Sequence, residues 1–377
     1  MKVGEIMGKI VQRGKMVKLL PTPEQEQLFW QFVGTRRFVY NWALDIQMQS
    51  YKETGKNKSA KELHKLIVNL KHTDPNLAWL NNVSCDVAKQ AIKDLDNAYN
   101  RYFKKMKEPG YVPYSKKKIA KSKRNNKPLT IYDRNGHPKF KCKLKKAESF
   151  HCDSFQVCIK DDYIKIPKIG WVAIATNNIF PKGNGRTQIK LYNPKVKYDG
   201  KNWYFVAAMD KEINSDNIPQ TKGIGIDLGV KDLAILSNTT KYKNINKTKK
   251  VKKLEKRKRR LQRKVSRKYN KNKDGDKYVK TKNIEKLEKK VLTINHKLKY
   301  IRKDYLHKTT SEIVKKKPIY IAMEDLNVRG MMKNKHLSNA IQDQGLSLFR
   351  TYITYKCEEH DIPIYFVDRF YPSSKTC

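Results

Sequence analysis

The chain has 377 residues, and its 83 Lys and Arg against 36 Asp and Glu give a formal net charge of +47. Two or three domains fit that length, whereas the charge excludes an ordinary small-molecule enzyme, because self-repulsion on this scale opposes the compact state unless a polyanion covers the surface. The six cysteines (Cys85, Cys142, Cys152, Cys158, Cys357 and Cys377) include no Cys-x-x-Cys pair, which argues against disulfides and for reduced thiols, and no apolar span approaches the length needed to cross a bilayer.

In chain order, residues 16–20 read as a short strand. Pro21-Thr-Pro-Glu-Gln25 then starts a helix, with Thr22 as N-cap and Pro23 in the first turn. The pattern predicts that this helix carries Leu28, Phe29, Phe32 and Val33, and that a second begins at Thr35 and ends near Tyr51. Ser59 caps a third helix with Leu63, Leu66, Ile67 and Leu70, and a fourth uses Val83, Val87, Ala91, Leu95, Ala98 and Tyr102 at helical spacing. Core packing of a small bundle accounts for these aromatics.

Residues 104–127, lysine-dense and broken by Pro109, Gly110 and Pro113, read as a linker or a nucleic-acid-binding loop. Strands are expected at 138–141, 155–159, 163–167, 171–174, 188–192, 195–198 and 203–207. Their short lengths and turn spacing predict a small antiparallel barrel, with basic and aromatic residues interleaved as phosphate contact and base stacking require. The polar stretch 213–222 marks a domain boundary.

Gly223-Ile-Gly-Ile-Asp-Leu-Gly229 reads as a buried strand ending in a tight turn, followed by a second strand at 233–236. Asp227 stands within its apolar run, where an unpaired carboxylate is costly. A cation or dense hydrogen bonding would satisfy it, and a turn-capping role is the plainer alternative. The neighbouring glycines leave room for a metal or a phosphate to approach. Residues 318–327 form another apolar strand ending in acid, at Glu324. Two strands of one sheet that each deliver a carboxylate make half of a magnesium site. Between them, residues 241–310 hold 29 Lys and Arg and only 6 Asp and Glu. Leu254, Leu261 and Val265, then Ile284, Leu287, Val291, Ile294, Leu298 and Ile301, predict a helical hairpin turning near Asn270–Gly275. Its charge is too one-signed for salt-bridge lacing, so phosphate contact is expected, through Arg257, Arg259, Arg260, Arg263 and Arg267 among others. A helix at 346–358 and a strand at 364–367 complete the pattern.

Gly225-Ile-Asp-Leu-Gly-Val-Lys-Asp232, Met323-Glu-Asp-Leu-Asn-Val-Arg-Gly-Met331 and Tyr371-Pro-Ser-Ser-Lys-Thr-Cys377 closely resemble the transposon-encoded TnpB (OrfB) proteins, compact RNA-guided DNA nucleases related to type V CRISPR effectors. The resemblance covers nearly the whole chain. It implies an α+β multidomain protein: residues 1–20 and 111–215 a wedge β-barrel, 21–110 a helical recognition domain, and 216–377 a RuvC/RNase H-like domain with the basic hairpin as an insertion. It implies that Asp227 and Glu324 are RuvC acids. It also makes His64, Lys65, Asp86 and Lys89, on the third and fourth helices, candidates for contact with a short DNA motif beside the target.

In that family a cysteine knuckle begins where Cys377 stands, and a third catalytic Asp follows. The sequence as given contains one of four zinc ligands and two of three acids, so no zinc is expected, and Asp343 and Asp368 sit in contexts unlike the missing motif. The expected function is therefore RNA-guided double-stranded DNA binding without cleavage, as in the nuclease-dead TldR repressors, acting by promoter occupancy. Guide (omega-type) RNA is the expected cofactor, with magnesium a candidate at the two acids. The protein is expected to be a monomer within a ribonucleoprotein, in the bacterial cytosol or nucleoid. Two alternatives remain: an active guided endonuclease whose chain is clipped here, and a guide-free basic nucleic-acid-binding protein.

Overall fold

The structure, a computed structural model, describes residues 9–143, 148–176, 179–180, 190–213, 219–275 and 277–368. Cys377 and its motif therefore lie outside the described residues. The chain divides into two compact units, Gln12–Lys211 and Met1–Val11 with Glu212–Cys377, each treated by itself.

In the first unit, strand β1 (Lys9–Leu20) leads into helix α1 (Pro23–Thr54). Thr22 and Gln25 close a capping box: the Gln25 N–H donates to Thr22 Oγ1 at 3.3 Å and the Thr22 N–H to Gln25 Oε1 at 3.1 Å. Two helices were expected where one of 32 residues runs through. The Thr35 hydroxyl donates back to the Gln31 carbonyl at 2.9 Å instead of capping a new helix. Gly34 costs about 1 kcal/mol in a helix interior, too little to break a helix that buries Phe29, Phe32, Val33 and Val39 across that point.

Helix α2 (Ala60–Thr73) starts with a second capping box, Ser59 with Glu62. Helix α3 (Cys85–Met106) packs with α1 and α2 around Val39, Leu44, Leu63, Ile67, Ile92 and Leu95. The lysine-dense stretch is not all loop, since helix α4 (Lys116–Arg124) forms behind the N-cap Ser115.

The remaining strands of this unit are β2 (Glu148–His151), β3 (Cys158–Lys160), β4 (Tyr163–Ile166), β5 (Gly170–Ile174), β6 (Leu191–Tyr198) and β7 (Trp203–Ile213). They form a sheet in the order β2-β6-β7-β1-β5-β4-β3. The expected barrel is not closed: β2 and β3 are the two edges and are not paired with each other among the described residues. Helix α1 covers the apolar face instead, setting Phe29 and Phe32 against Phe150 and Trp203 in one core. That removes the need for the strand tilt and shear that closure demands.

Residues 138–141 are not a strand. The side chain of Asn41 takes both backbone groups of Lys141, accepting from its N–H at 2.7 Å and donating to its carbonyl at 2.9 Å. Phe155 lies in a turn, and β3 begins only at Cys158. Residues 188 and 189 of the strand expected at 188–192 lie outside the described residues; from Leu191 to Tyr198 the two expected strands are one, with a bulge at Asn193 and Pro194, where Asn193 takes φ +51°.

In the second unit, β8 (Ile224–Leu228), β9 (Asp232–Leu236) and β10 (Lys241–Lys243) form an antiparallel meander. Helix α5 (Lys249–Lys271) follows. It is joined to α6 (Lys282–Lys315) by a small ladder of β11 (Lys273–Asp274) and β12 (Lys277–Tyr278). Strand β13 (Ile321–Glu324), helices α7 (Val328–Met331), α8 (Ser338–Gln344) and α9 (Leu346–Glu359), and strand β14 (Ile364–Val367) complete it. The sheet order is β10-β9-β8-β13-β14, with β8, β13 and β14 mutually parallel. Ile224, Ile226, Ile321 and Met323 bury one face together with Leu306 and Ile313 of α6 and Phe349 and Ile353 of α9.

Lys356 of α9 is only 8% exposed. Its ammonium donates to the His307 carbonyl at 2.6 Å, Thr310 Oγ1 at 2.7 Å and Ser311 Oγ at 2.8 Å. Burial lowers its pKa from 10.5 to about 8, against the weaker pull of Glu359. The unfolded chain thus holds the proton more tightly between those values, so Lys356 opposes folding fully below pH 8 and progressively less toward pH 10.5. The stability of the native chain relative to Lys356→Met is expected to rise by roughly 1–3 kcal/mol between about pH 7 and 10, read from urea midpoints. A flat difference would contradict the assignment.

Candidate metal and nucleic-acid site

The register of β8 with β13 sets Ile224 opposite Ile321, Gly225 opposite Ala322 and Ile226 opposite Met323. Continued by one residue, it brings Glu324 beside Asp227 at the C-terminal edge of two adjacent parallel strands, the usual ligand edge of α/β sheets. Alternation puts both acids on the face opposite the helices.

Asp227 is exposed, so the desolvation cost inferred from its apolar neighbours does not arise. Those neighbours belong to the other face. The glycines also serve ends other than openness. A Cβ on Gly223 would lie 2.3 Å from the Tyr320 ring, and one on Gly229 would lie 3.2 Å from the Asp232 carbonyl oxygen in the turn to β9.

Two oxygen donors on rigid neighbouring strands suit a hard divalent cation that keeps most of its waters. Among the described residues, no group of three or more His, Cys, Asp or Glu converges on a metal position. The adjacent Asp325 is ion-paired with Arg350, whose guanidinium also lies 4.1 Å from the Phe366 ring centre. Asp343 is paired with Arg302 at 2.8 Å. Glu324 lines a groove with Asn327 and with Arg350 and Thr351 of α9, whereas Asp227 is not among its lining residues. Arg350 and Arg302 escaped sequence reasoning because their partners are 25 and 41 residues away in the sequence.

Helix α5 carries fourteen Lys and Arg and one acid in 23 residues. Arg257, Arg259, Arg260, Arg263 and Arg267 are all exposed. The single acid, Glu255, turns inward to Arg302 at 3.0 Å and to Lys258 at 2.6 Å. Val251 and Leu254 pack on Ile294 and Leu298 of α6, leaving the basic face outward.

In the first unit, Lys65 and Lys89 are exposed while His64 and Asp86 are half-buried. The Ser84 hydroxyl donates to Asp86 Oδ2 at 3.0 Å. His64 and Lys65 follow the buried Leu63 on α2, and Asp86 precedes the buried Val87 on α3. The two helices pack together, but no hydrogen bond or ion pair among the described residues links the four side chains to one another. Burial, and after it the nearby Lys195, lowers the pKa of His151 of β2 against the pull of Asp86.

Three family models match in order. They are the helix-turn-helix domain of OrfB from IS605 elements over residues 7–56, the OrfB "Probable transposase" over residues 205–335, and the "Cas12f1-like, TNB domain" over residues 347–377. A "Putative RNA-guided DNA endonuclease" of Streptomyces pristinaespiralis is 26% identical over 368 residues, covering 97% of this chain and 80% of the relative. A "Putative RNA-guided DNA endonuclease InsQ" of Escherichia coli K12 is 25% identical, covering 90% of this chain and 76% of the relative. Among solved structures, a Cas12f1–sgRNA–target DNA complex matches at 14% identity and a TM-score of 0.42, covering 95% of this chain and 89% of that one. The described part of the region matched by the helix-turn-helix model holds one strand, Lys9–Leu20, and one unbroken helix, Pro23–Thr54.

Because Asp227 is exposed and Glu324 half-buried, with neither in an ion pair among the described residues, Asp227→Asn and Glu324→Gln should leave stability within about 0.5 kcal/mol. Arg350→Ala removes the ion pair to Asp325 and the cation over the Phe366 ring, and should cost about 1 kcal/mol. Urea melts of the three variants check this. A large loss in either acid variant would mean that the acids are structural.

Proposed function

We propose that this chain, which carries TnpB/OrfB domains of the IS605 family, binds double-stranded DNA under the direction of a guide RNA and holds it without cutting. The observation that carries the nucleic-acid part is the one-signed outer face of α5. Five exposed arginines on one continuous helix, with its lone acid turned inward, suit the phosphate backbone of a duplex read by shape. Guide pairing would then supply sequence choice. Residues 21–110 would act as the recognition domain, with His64, Lys65, Asp86 and Lys89 near the adjacent motif. Residues 1–20 with 111–215 would grip the guide, and 216–377 would form the RuvC-like part. Occupancy of a promoter by such a complex, with one protein chain in each ribonucleoprotein, would repress transcription.

The non-cutting reading is supported by how the nearby acids are used. In-line phosphodiester cleavage by two metals needs enough carboxylates to clamp both ions. Asp325 and Asp343 are held by Arg350 and Arg302, which leaves Asp227 and Glu324 as the adjacent pair at this sheet edge among the described residues. That pair would hold one magnesium ion, whose charge would offset that of an approaching phosphate.

Cleavage is the second reading. It is favoured by the adjacency of the two acids and by the endonuclease names of the relatives.

One preparation separates these readings: protein purified with co-expressed RNA, mixed with matched or mismatched duplex and magnesium, then run on native and denaturing gels. A retarded, uncut band specific to matched DNA is expected. Cut strands that disappear in Asp227→Asn would establish the nuclease, and equal retardation of mismatched DNA would leave a guide-free binder. Replacing Arg257, Arg260 and Arg263 by Ala should lower affinity for every sequence and flatten the log–log salt dependence by about 0.7–0.9 for each phosphate that the variant no longer neutralises.

A further inference from the structure

A second cavity, in the unit Gln12–Lys211, has no part in the reading above. It lies between α1, the end of α3 and the segment 131–137, and Met48, Tyr51, Phe103, Met106, Tyr132 and Arg134 are among its lining residues. His137, also in the lining, is 8% exposed and is met edge-on by three rings: Tyr99 at 5.6 Å, Tyr102 at 5.1 Å and Tyr132 at 5.5 Å between ring centres. Burial lowers the His137 pKa, so it is neutral at pH 7.

Two features set this pocket apart from an ordinary packing gap. Tyr51 and Phe103 remain 44% and 42% exposed at its rim. The buried Nε–H of Arg134 finds no acceptor among the described residues, although its guanidinium engages the Tyr114 and Tyr102 hydroxyls. An orphaned buried donor is costly, and its presence calls for an acceptor from outside.

The surroundings indicate which molecule would bring that acceptor. The Lys118 ammonium donates to the Asp133 carbonyl, docking α4 on the turn that carries Tyr132 and Arg134. Helix α4 has six Lys and Arg, no acid and no buried residue. Lys104 and Lys105 end α3 beside Phe103. Aromatic walls, one free N–H donor and a border of cations match a planar ring with an edge acceptor on a phosphate backbone.

We propose that this cavity takes an unstacked nucleobase of a single strand whose flanking phosphates lie on Lys104, Lys105 and α4. The inference goes beyond guided duplex binding and does not depend on it.

The test uses the full chain freed of RNA, at a salt concentration high enough to weaken backbone contacts. The probes are fluorescein-labelled ten-mers of thymidine, of uridine and of abasic units of equal charge. The native chain should bind the base-bearing strands about tenfold more tightly than the abasic one, and the DNA and RNA arms report which strand supplies the base. Tyr51→Ala with Phe103→Ala should abolish that preference while leaving abasic affinity unchanged. Lys116→Ala with Lys117→Ala and Lys121→Ala should weaken all probes and leave the preference intact. A preference that survives the aromatic double variant would overturn the proposal. Photocrosslinking of the native chain to 5-iodouracil strands gives a reading that requires no variant to fold. Adducts at Tyr51, Tyr102, Phe103 or Tyr132 support the site, and adducts confined to other residues overturn it.

Discussion

The second unit depends on the parallel pairing of β8 with β13. The two strands are separated by an excursion of more than ninety residues, and their register decides which side chains share a face. Ile224, Ile226, Ile321 and Met323 point to the helices, so Asp227 and Glu324 point away from them together. A slip of one residue would bury both acids and expose the core. The site is therefore held by the same hydrophobic pattern that holds the sheet.

Helix α6 links this register to the basic surface. Its 34 residues span about 51 Å at 1.5 Å per residue, whereas strands of four or five residues reach less than about 20 Å. Only the C-terminal part of the helix, with Leu306, Thr310, Ile313 and Val314, lies in the sheet core. Ile294 and Leu298 need another cover, and Val251, Leu254 and Leu261 of α5 supply it. A narrow apolar stripe suffices for that contact, which frees the rest of α5 to carry like charges. The acids of this unit work against that excess from inside: Glu255 and Asp343 hold Arg302, and Glu288 holds Lys280. What faces water on the hairpin is then more one-signed than the composition alone indicates.

The N-caps at Thr22 and Ser59 were legible because an N-cap acts through residues three apart in sequence; the reciprocal bonds from Gln25 and Glu62 that complete each box came with the structure. Strands β8 and β13 and the acid at the edge of each were legible from alternation and length. The continuity of α1 was not, since the choice between a new N-cap at Thr35 and a back-bond to Gln31 is settled by the buried contacts on either side. The open sheet was missed for a related reason: strand spacing cannot tell whether a sheet closes on itself or is covered by a helix such as α1. The environment of Asp227 was misjudged by reading an apolar run as burial on both faces. In a sheet covered by helices on one side, the same run exposes every second residue. Ion pairs such as Arg350 with Asp325 leave no local trace and appear only in the folded chain.

On the proposed reading, α5 would hold the nucleic acid and the acid edge of β8 and β13 would serve any cutting, and placing the two on separate elements has a physical consequence. Affinity for phosphate grows with each exposed cation on α5, and none of those cations supports Asp227 or Glu324 through a hydrogen bond or ion pair among the described residues. Loss of Asp227 or Glu324 would therefore leave the basic face of α5 intact. It would even favour binding in the absence of a metal, because an acid on an open face repels an approaching phosphate. A chain built this way can lose chemistry at little cost to occupancy. On the same proposal, the reverse loss, of the α5 arginines, would weaken the hold on nucleic acid whether or not it is then cut.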